Sequence, residues 1–406
     1  DAMDLKSGYP FWAVSNGLMH AFPRLESNVA CDVLVVGGGI TGALIAHELV
    51  THGHDVVVVE QRDVAWGSTA ASTALLQYEI DTHLTDLADR YGETDAALAY
   101  RACSDAIDML EAVAADVGDV DFERADSLYY ASRKRDVPAL QREYDARLRH
   151  GFDLEYLEPG LLRAEYRIEA PAALRSRQAA QVDPYRFASR LLDRMRARGA
   201  QVFDRTAVLR LDARSRDVVA TVDSGAHVRA RHVVLAAGYA TQHWLPRGVA
   251  RNRSSYAFVT DPLREDELGP FARTLIWETA RPYLYMRTPG DGRLLVGGED
   301  DSPDVPARRD ARVERKAKTL MKRVARLRPE LDLTPTFSWA GTFAETPDGL
   351  PFFGTHPATG PRVHAAMAYG GNGITYSMLG AGLLRAGIER RKHPLAELFG
   401  FARLER

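Results

Sequence analysis

The chain has 406 residues, 46% of them apolar and 26% charged, with a net charge of -3. These proportions suit a globular protein with a sizeable core, and the balance of charge excludes nucleic acid as the main partner. No apolar run approaches the roughly 18 residues of a membrane span, no Cys/His cluster has metal-ligand spacing, and two cysteines, Cys31 and Cys103, cannot make a disulfide framework, so the cytoplasm is the expected location.

Residues 1–30 read as an irregular arm. Its Tyr9, Pro10, Phe11 and Trp12 are too apolar for a free tail and are expected to pack on the body, and the stretch lacks the basic and apolar regions of a secretory signal. Residues 32–60, DVLVVGGGITGALIAHELVTHGHDVVVVE, constrain the chain most. An apolar strand meets a glycine turn, a helix-period segment follows, and a second apolar strand ends in Glu60. That order builds a dinucleotide-binding unit. Gly37 allows the tight turn, Gly39 lets backbone approach a pyrophosphate, and Gly42 lets the helix pack closely. The helix N-terminus offers partial positive charge and free N–H groups to phosphates. Glu60, 18 residues beyond Gly42, is placed to accept hydrogen bonds from ribose hydroxyls. A bare GxGxxG says little, but here the strand, the helix and the acid agree.

WGSTAASTALLQYEID, residues 66–81, has the small side chains of a segment lying against a flat ligand. Helical patterning covers about 85–115 and about 134–150, with a strand candidate, Ser127–Ser132, between them. Pro184 opens a helix that Gly199 ends. Short strands with turns near Ser215 and at Ser224–Gly225 then lead to HVVLAAG, a buried strand running into Gly238. TLIWETARPYLYMRTPGDGRLLVGG is a predicted hairpin turning at Pro289–Gly290–Asp291–Gly292. RRDARVERKAKTLMKRVARLRPEL follows as an amphipathic basic helix whose charges read as a solvated face. WAGTFAETPDGLPFFGTHP and VHAAMAYGGNGITYSMLGAGLLRAGI close the chain with a loop, a strand, a second glycine turn and a terminal helix.

The order GGGITG…E, small-residue loop, VVLAAG, WAGTFAETPDGLPFFG and YGGNGIT resembles the D-amino acid oxidase-like FAD-dependent oxidoreductases, the group of glycine, sarcosine and gamma-glutamylputrescine oxidoreductases. The resemblance covers nearly the whole chain. It implies an α/β fold with α+β elements: a discontinuous Rossmann-like FAD-binding domain (1–85, 183–245 and 337–406) and an inserted mixed or antiparallel-sheet substrate domain (86–182 and 246–336). By carry-over, Gly37, Gly39, Ile40, Thr41 and Gly42 hold the pyrophosphate and Glu60 the adenosine ribose. Gln61 and Arg62 lie beside the adenine end, and Val208 brings backbone near it. Ser68, Thr69 and Ser72 run along the flavin and its phosphates, while Ala237 and Gly238 close the phosphate pocket. Gly341, Gly371, Asn372, Gly373, Ile374 and Thr375 lie at the isoalloxazine ring, where the final helix N-terminus can stabilise negative charge.

Departures from the family pattern refine this. Phe343 stands where glycine oxidase-like members carry a carboxylate-clamping arginine and Gly371 replaces a second arginine, so a free α-amino acid is not the expected substrate unless Arg287 or another arginine substitutes. Thr342 stands in place of the cysteine that sarcosine oxidases bond to flavin, so FAD is expected to be noncovalent. Leu295 stands in place of an oxygen-activating lysine, so oxidase and dehydrogenase both remain open. The loop Thr73–Ala74 lacks a glycine that many members carry.

The implied reaction is oxidation of a C–N bond in a small-molecule amine or amino-acid derivative, by hydride transfer to flavin N5 and then imine hydrolysis. Electrons pass to oxygen or another acceptor. Positioning supplies most of such a rate, and an apolar site favours the neutral amine, so no catalytic side chain is assigned. The pocket candidates are Leu76, Tyr78, Tyr256, Tyr285, Arg287, Phe343 and Glu345, the last suited to the charged end of a second amine. Core packing is the plain alternative for the aromatics, and an ion pair for Glu345. Tyr283 and Tyr285 share a strand face as a candidate cation cage. The rival reading is a flavin-bearing electron-transfer subunit of a larger complex, with no substrate pocket of its own and docked through the basic helix. A flavin hydroxylase would need an acid in the second glycine turn, which YGGNGIT lacks.

Overall fold

A computed structural model describes residues 3–406. The opening unit forms as its pattern dictates: strand Val29–Val36, helix Ile40–Thr51, strand Val56–Val59. The two strands run parallel, Val33 opposite Val56 through Val36 opposite Val59. Alternate residues of both strands face different layers. Val33, Val35, Val56 and Val58 meet the helices, and Leu34, Val36, Val57 and Val59 meet a second apolar cluster. A strand covered on both faces has no use for polar alternation, which is why VVVV reads as a continuous apolar run.

Among the described residues the strands form two sheets. The eight-stranded one orders Phe352–Thr355, Val363–Met367, His227–Leu235, Val29–Val36, Val56–Val59 and Gln201–Phe203, with Val218–Val222 and Val208–Ala213 added antiparallel beside His227–Leu235. Helices Ile40–Thr51, Pro184–Ala197 and Gly373–Ile388 pack together over one face. Helix Pro184–Ala197 begins where its sequence says: Asp183 caps it by accepting the Arg186 N–H at 2.9 Å, and Pro184 takes the first turn.

The ten-stranded sheet orders Lys6–Gly8, Pro335–Glu345, Arg251–Thr260, Leu295–Asp301, Leu284–Arg287, Thr274–Glu278, Glu123–Tyr130, Ala173–Gln181 and Leu75–Gln77, with Glu155–Leu157 paired to Ala173–Gln181. Lys6–Gly8, Leu75–Gln77 and Pro335–Glu345 join this sheet, although their neighbours in sequence build the other one. The hairpin turning at residues 289–292 is present, and Thr274–Glu278 adds a third strand to it.

The N-terminal arm is not irregular. It forms a strand at Lys6–Gly8 and a helix at Phe11–Asn16, with Phe11 and Trp12 buried and Tyr9 72% exposed. The basic helix runs Pro306–Leu327 and seats Val313, Ala317, Leu320, Val324 and Leu327 on the ten-stranded sheet. Its cationic face is only partly solvated, because Arg312, Lys316 and Arg323 reach acids of that sheet. No helix among the described residues is long and apolar enough to cross a membrane.

Candidate functional site

A cavity of about 1040 Å³ lies at the carboxyl ends of the parallel strands, between the two sheets. Strands Val29–Val36, Val56–Val59 and His227–Leu235 end in register, so Gly37, Glu60 and Ala237–Gly238 all reach its wall. Open α/β sheets bind their ligands at this edge, and the volume is at the upper end of ligand clefts, about 300–1,000 Å³.

The first glycine turn is built around close approaches. Gly37 has φ +120°, and a Cβ there would sit 2.1 Å from the Ala236 carbonyl oxygen. A Cβ on Gly42 would fall 1.9 Å from the Gly37 carbonyl oxygen. Gly42 thus packs the helix onto the turn and does not itself line the cavity. Gly39, Ile40 and Thr41 do, and helix Ile40–Thr51 has no side-chain cap on its N-terminus. The Ile40 N–H donates to Thr69 Oγ1 at 3.0 Å, which ties the small-residue loop to the helix start. Ser68, Thr69 and Ser72 of that loop line the cavity.

Glu60 accepts the Gly38 N–H at 2.8 Å through one oxygen and the Arg62 N–H at 2.9 Å through the other. Burial raises its pKa, and these backbone donors oppose the rise. Each carboxylate oxygen keeps a further lone pair for a hydroxyl. Gln61, Arg62 and Val208 line the cavity beside it.

The second glycine turn approaches from the other side. Gly371, Asn372, Gly373 and Ile374 line the cavity, as does Gly341, where a Cβ would meet Ala71 Cβ at 2.8 Å. The Gly371 N–H donates to Asp81 Oδ2 at 2.9 Å, and the Asn372 amide donates to the Glu79 carbonyl. Thr375 is a correction. Its hydroxyl donates to the Gln77 carbonyl at 3.1 Å, inside the first turn of the terminal helix and off the cavity wall.

The substrate candidates divide. Tyr256, Tyr285, Phe343 and Glu345 line the cavity, and Glu345 is ion-paired with Arg253 at 2.5 Å. Leu76, Tyr78 and Arg287 do not line it. In strand Leu75–Gln77 the cavity-facing residues are Leu75 and Gln77, so period two sends Leu76 into the core. Tyr78 stacks on Phe152 with centroids 5.4 Å apart. The Arg287 guanidinium donates to the carbonyls of Thr73 and Val182, both at 2.7 Å, and faces the Trp12 ring. It braces the arm against the sheet and is closed to a substrate. Leu295 is fully buried off the cavity, and Thr342 bonds to Arg309 and Asp304. Neither cysteine lines the cavity or forms a disulfide. Residues not expected from the sequence also line it: Asp81, Ser255, Trp277, Arg281 and Asp300. The GGEDD run was the available signal for Asp300, but alternation alone points its acids the wrong way.

Two glycine turns from opposite ends of the chain, a buried carboxylate beside the first and a run of small residues share one cavity wall, the arrangement expected of a Rossmann-type flavoprotein oxidoreductase. The chain belongs to the family described as FAD dependent oxidoreductase, whose profile matches residues 32–386. Gamma-glutamylputrescine oxidoreductase of Escherichia coli (strain K12) is 26% identical over 397 residues, 94% of this chain and 89% of the relative. Glycine oxidase of Geobacillus kaustophilus is 28% identical over 385 residues, 91% of this chain and 96% of the relative. The crystal structure of that glycine oxidase shares the fold, with a TM-score of 0.76 at 22% identity over 91% of this chain and 98% of the other. That of L-proline dehydrogenase from P.horikoshii does so at 0.78 and 18%, over 94% and 99%. The cofactor of this family is FAD, held noncovalently here. The cradle fits it, since Gly37, Gly39, Gly341 and Gly371 line the wall as bare backbone, and a Cβ at any of them would press on Ala236, Thr69, Ala71 or Asp81 and displace that wall.

Proposed function

We propose that the protein oxidises a C–N bond of a small amine or amino-acid derivative, releasing an imine that hydrolyses. The observation that carries this reading is the composition of the cavity beyond the cofactor-binding turns: aromatic walls (Trp277, Tyr283, Tyr285, Phe343), acids, and arginines already engaged. Arg253 pairs with Glu345, and the Arg281 guanidinium lies 3.9 Å from the Tyr283 ring centroid while donating to the Asp81 carbonyl. Such walls position a substrate, exclude water and favour an uncharged amine at the reacting end. Bound FAD would supply the hydride acceptor. The glycine oxidase and gamma-glutamylputrescine oxidoreductase relatives support the substrate class by their names. The acceptor of the electrons is oxygen or another oxidant.

The same reading divides the chain into an FAD domain (1–85, 183–245 and 337–406) and a substrate domain (86–182 and 246–336). Sheet membership supports the division apart from the three strands that cross into the larger sheet. Two free thiols support a reducing compartment, the cytoplasm. The test is an anaerobic titration of the yellow holoprotein with primary and secondary amines, polyamines, N-methyl amino acids and amino acids, read as loss of oxidised-flavin absorbance. Bleaching by amines is the expected result. A full panel without bleaching overturns the reading.

A further inference from the structure

Strand Leu295–Asp301 ends in three consecutive acids, Glu299, Asp300 and Asp301. Strict alternation would send two of them to the cavity. Gly297 fixes the phase: the Tyr285 ring lies over it on the cavity side, where a Cβ would be 2.3 Å from a ring carbon. Counting by twos from Gly297, Glu299 and Asp301 would face the cavity and Asp300 the basic helix.

The structure inverts this with a β-bulge. Gly298 pairs with Tyr256 and Asp301 with Ser254, so Ser255 faces two residues, and Glu299 takes φ +57°. The extra residue reverses the phase. Glu299 then meets Arg323 at 3.0 Å and Lys316 at 3.7 Å. Asp301 meets Arg312 at 2.8 Å, Lys316 at 3.1 Å and the Tyr256 hydroxyl at 2.8 Å, and its pKa falls to about 2. Two acids are neutralised by the helix and one is turned into the cavity wall.

Asp300 has no such partner. Its Oδ1 is buried without a hydrogen bond. The groups facing it are the Ser255 hydroxyl, Glu345, Arg253 and Asp81, and Arg253 is taken by Glu345. Burial raises the Asp300 pKa to about 7, helped by Glu345 and opposed by Ser255 and Arg253. A buried carboxylate left unpaired is costly, and a backbone irregularity that creates one at a cavity wall points to a charged ligand.

We propose that Asp300 is the docking group for a cationic nitrogen of the substrate, received as an N–H···O bond to its carboxylate beside Ser255 and Tyr285. The role expected of Glu345 therefore falls to Asp300, because Glu345 is held by Arg253. The inference rests on the amine reading above and specifies the substrate class: an amine with a protonated nitrogen that reaches the bulge.

The test uses tert-butylammonium, an amine with no α-hydrogen to lose, and its neutral counterpart tert-butanol. Binding to the holoprotein is read as perturbation of the flavin absorbance. Wild type is expected to bind the cation, and Asp300→Asn to weaken it on the order of tenfold or more, the size of one charged hydrogen bond. tert-Butanol affinity is expected to change less than about twofold by the same reasoning, as its contact is uncharged. In the wild type alone, cation affinity is expected to fall as pH drops below about 7, where Asp300 gains its proton. Equal cation binding by Asp300→Asn, or a wild-type affinity flat from pH 6 to 8, overturns the inference. That wild-type measurement holds even if the variant fails to fold. Oxidisable amines separate the two proposals. Bleaching by amines with Asp300-independent binding removes only the docking role, and Asp300-dependent binding with no bleaching removes only the reaction.

Discussion

At the scale of the residue, Gly42 shows how little space the cofactor turn leaves. One added carbon would lie 1.9 Å from the Gly37 carbonyl oxygen, closer than any non-bonded contact permits. Gly42→Ala is therefore expected to displace the turn and lower the FAD content of purified protein at least tenfold, measured as the 450/280 nm absorbance ratio. Gly290→Ala, where an added carbon meets nothing within 4 Å, should leave the ratio unchanged. Both glycines were visible in the sequence, but only Gly42 came with a strand before it and an acid 18 residues after it, which gave it a mechanism. Glu60 was legible for the same reason, although its second task, clamping the Gly38 and Arg62 amides, was not. Arg287 misled because an arginine close in sequence to pocket residues carries no mark of whether carbonyls already occupy it.

At the scale of the element, periodicity located helices and strands well and their partners poorly. Helix Pro306–Leu327 was plain from its 3.6-residue apolar spacing. Nothing local told that its cations would meet Glu278, Glu299 and Asp301, acids brought near by the hairpin. Arg323 joins Glu278 and Glu299, and the Glu278 side chain is 7% exposed. Arg323→Met is expected to cost about 2–3 kcal/mol in urea unfolding, because removing one partner leaves a buried charge uncompensated. Adding Glu278→Gln should recover part of that loss. Strict additivity of the two substitutions would show that the pair is not coupled. This use of the face also argues against its serving as a docking surface. Strand Leu75–Gln77 teaches a related lesson. Residues 66–81 read only as a small-residue segment against a flat ligand, and the strand within it, with its phase, is set by pairing to Ala173–Gln181.

At the scale of the whole molecule, the cavity is shared by two sheets, so a ligand filling it ties them together. FAD at about a hundred times its dissociation constant would stabilise the fold by about 2.7 kcal/mol. Apoprotein with FAD is expected to melt about 3–5 °C above apoprotein alone, followed by scanning calorimetry. NAD at the same concentration should leave Tm unchanged, because the family's cofactor is FAD. An equal rise with NAD would contradict the assignment of the cradle.

The sequence by itself determined the nucleotide-binding unit, the family and the cofactor, because those reside in short contiguous patterns whose physics is local: a turn, a helix tip, an acid at fixed distance. The tertiary structure decided which side chains reach the cavity wall beyond the glycine turns. That surface is assembled from strands far apart in the chain, and one extra residue at Glu299 is enough to exchange which acids face the helix and which faces the cavity. A pattern of period two cannot reveal a bulge, since the bulge is where the period fails.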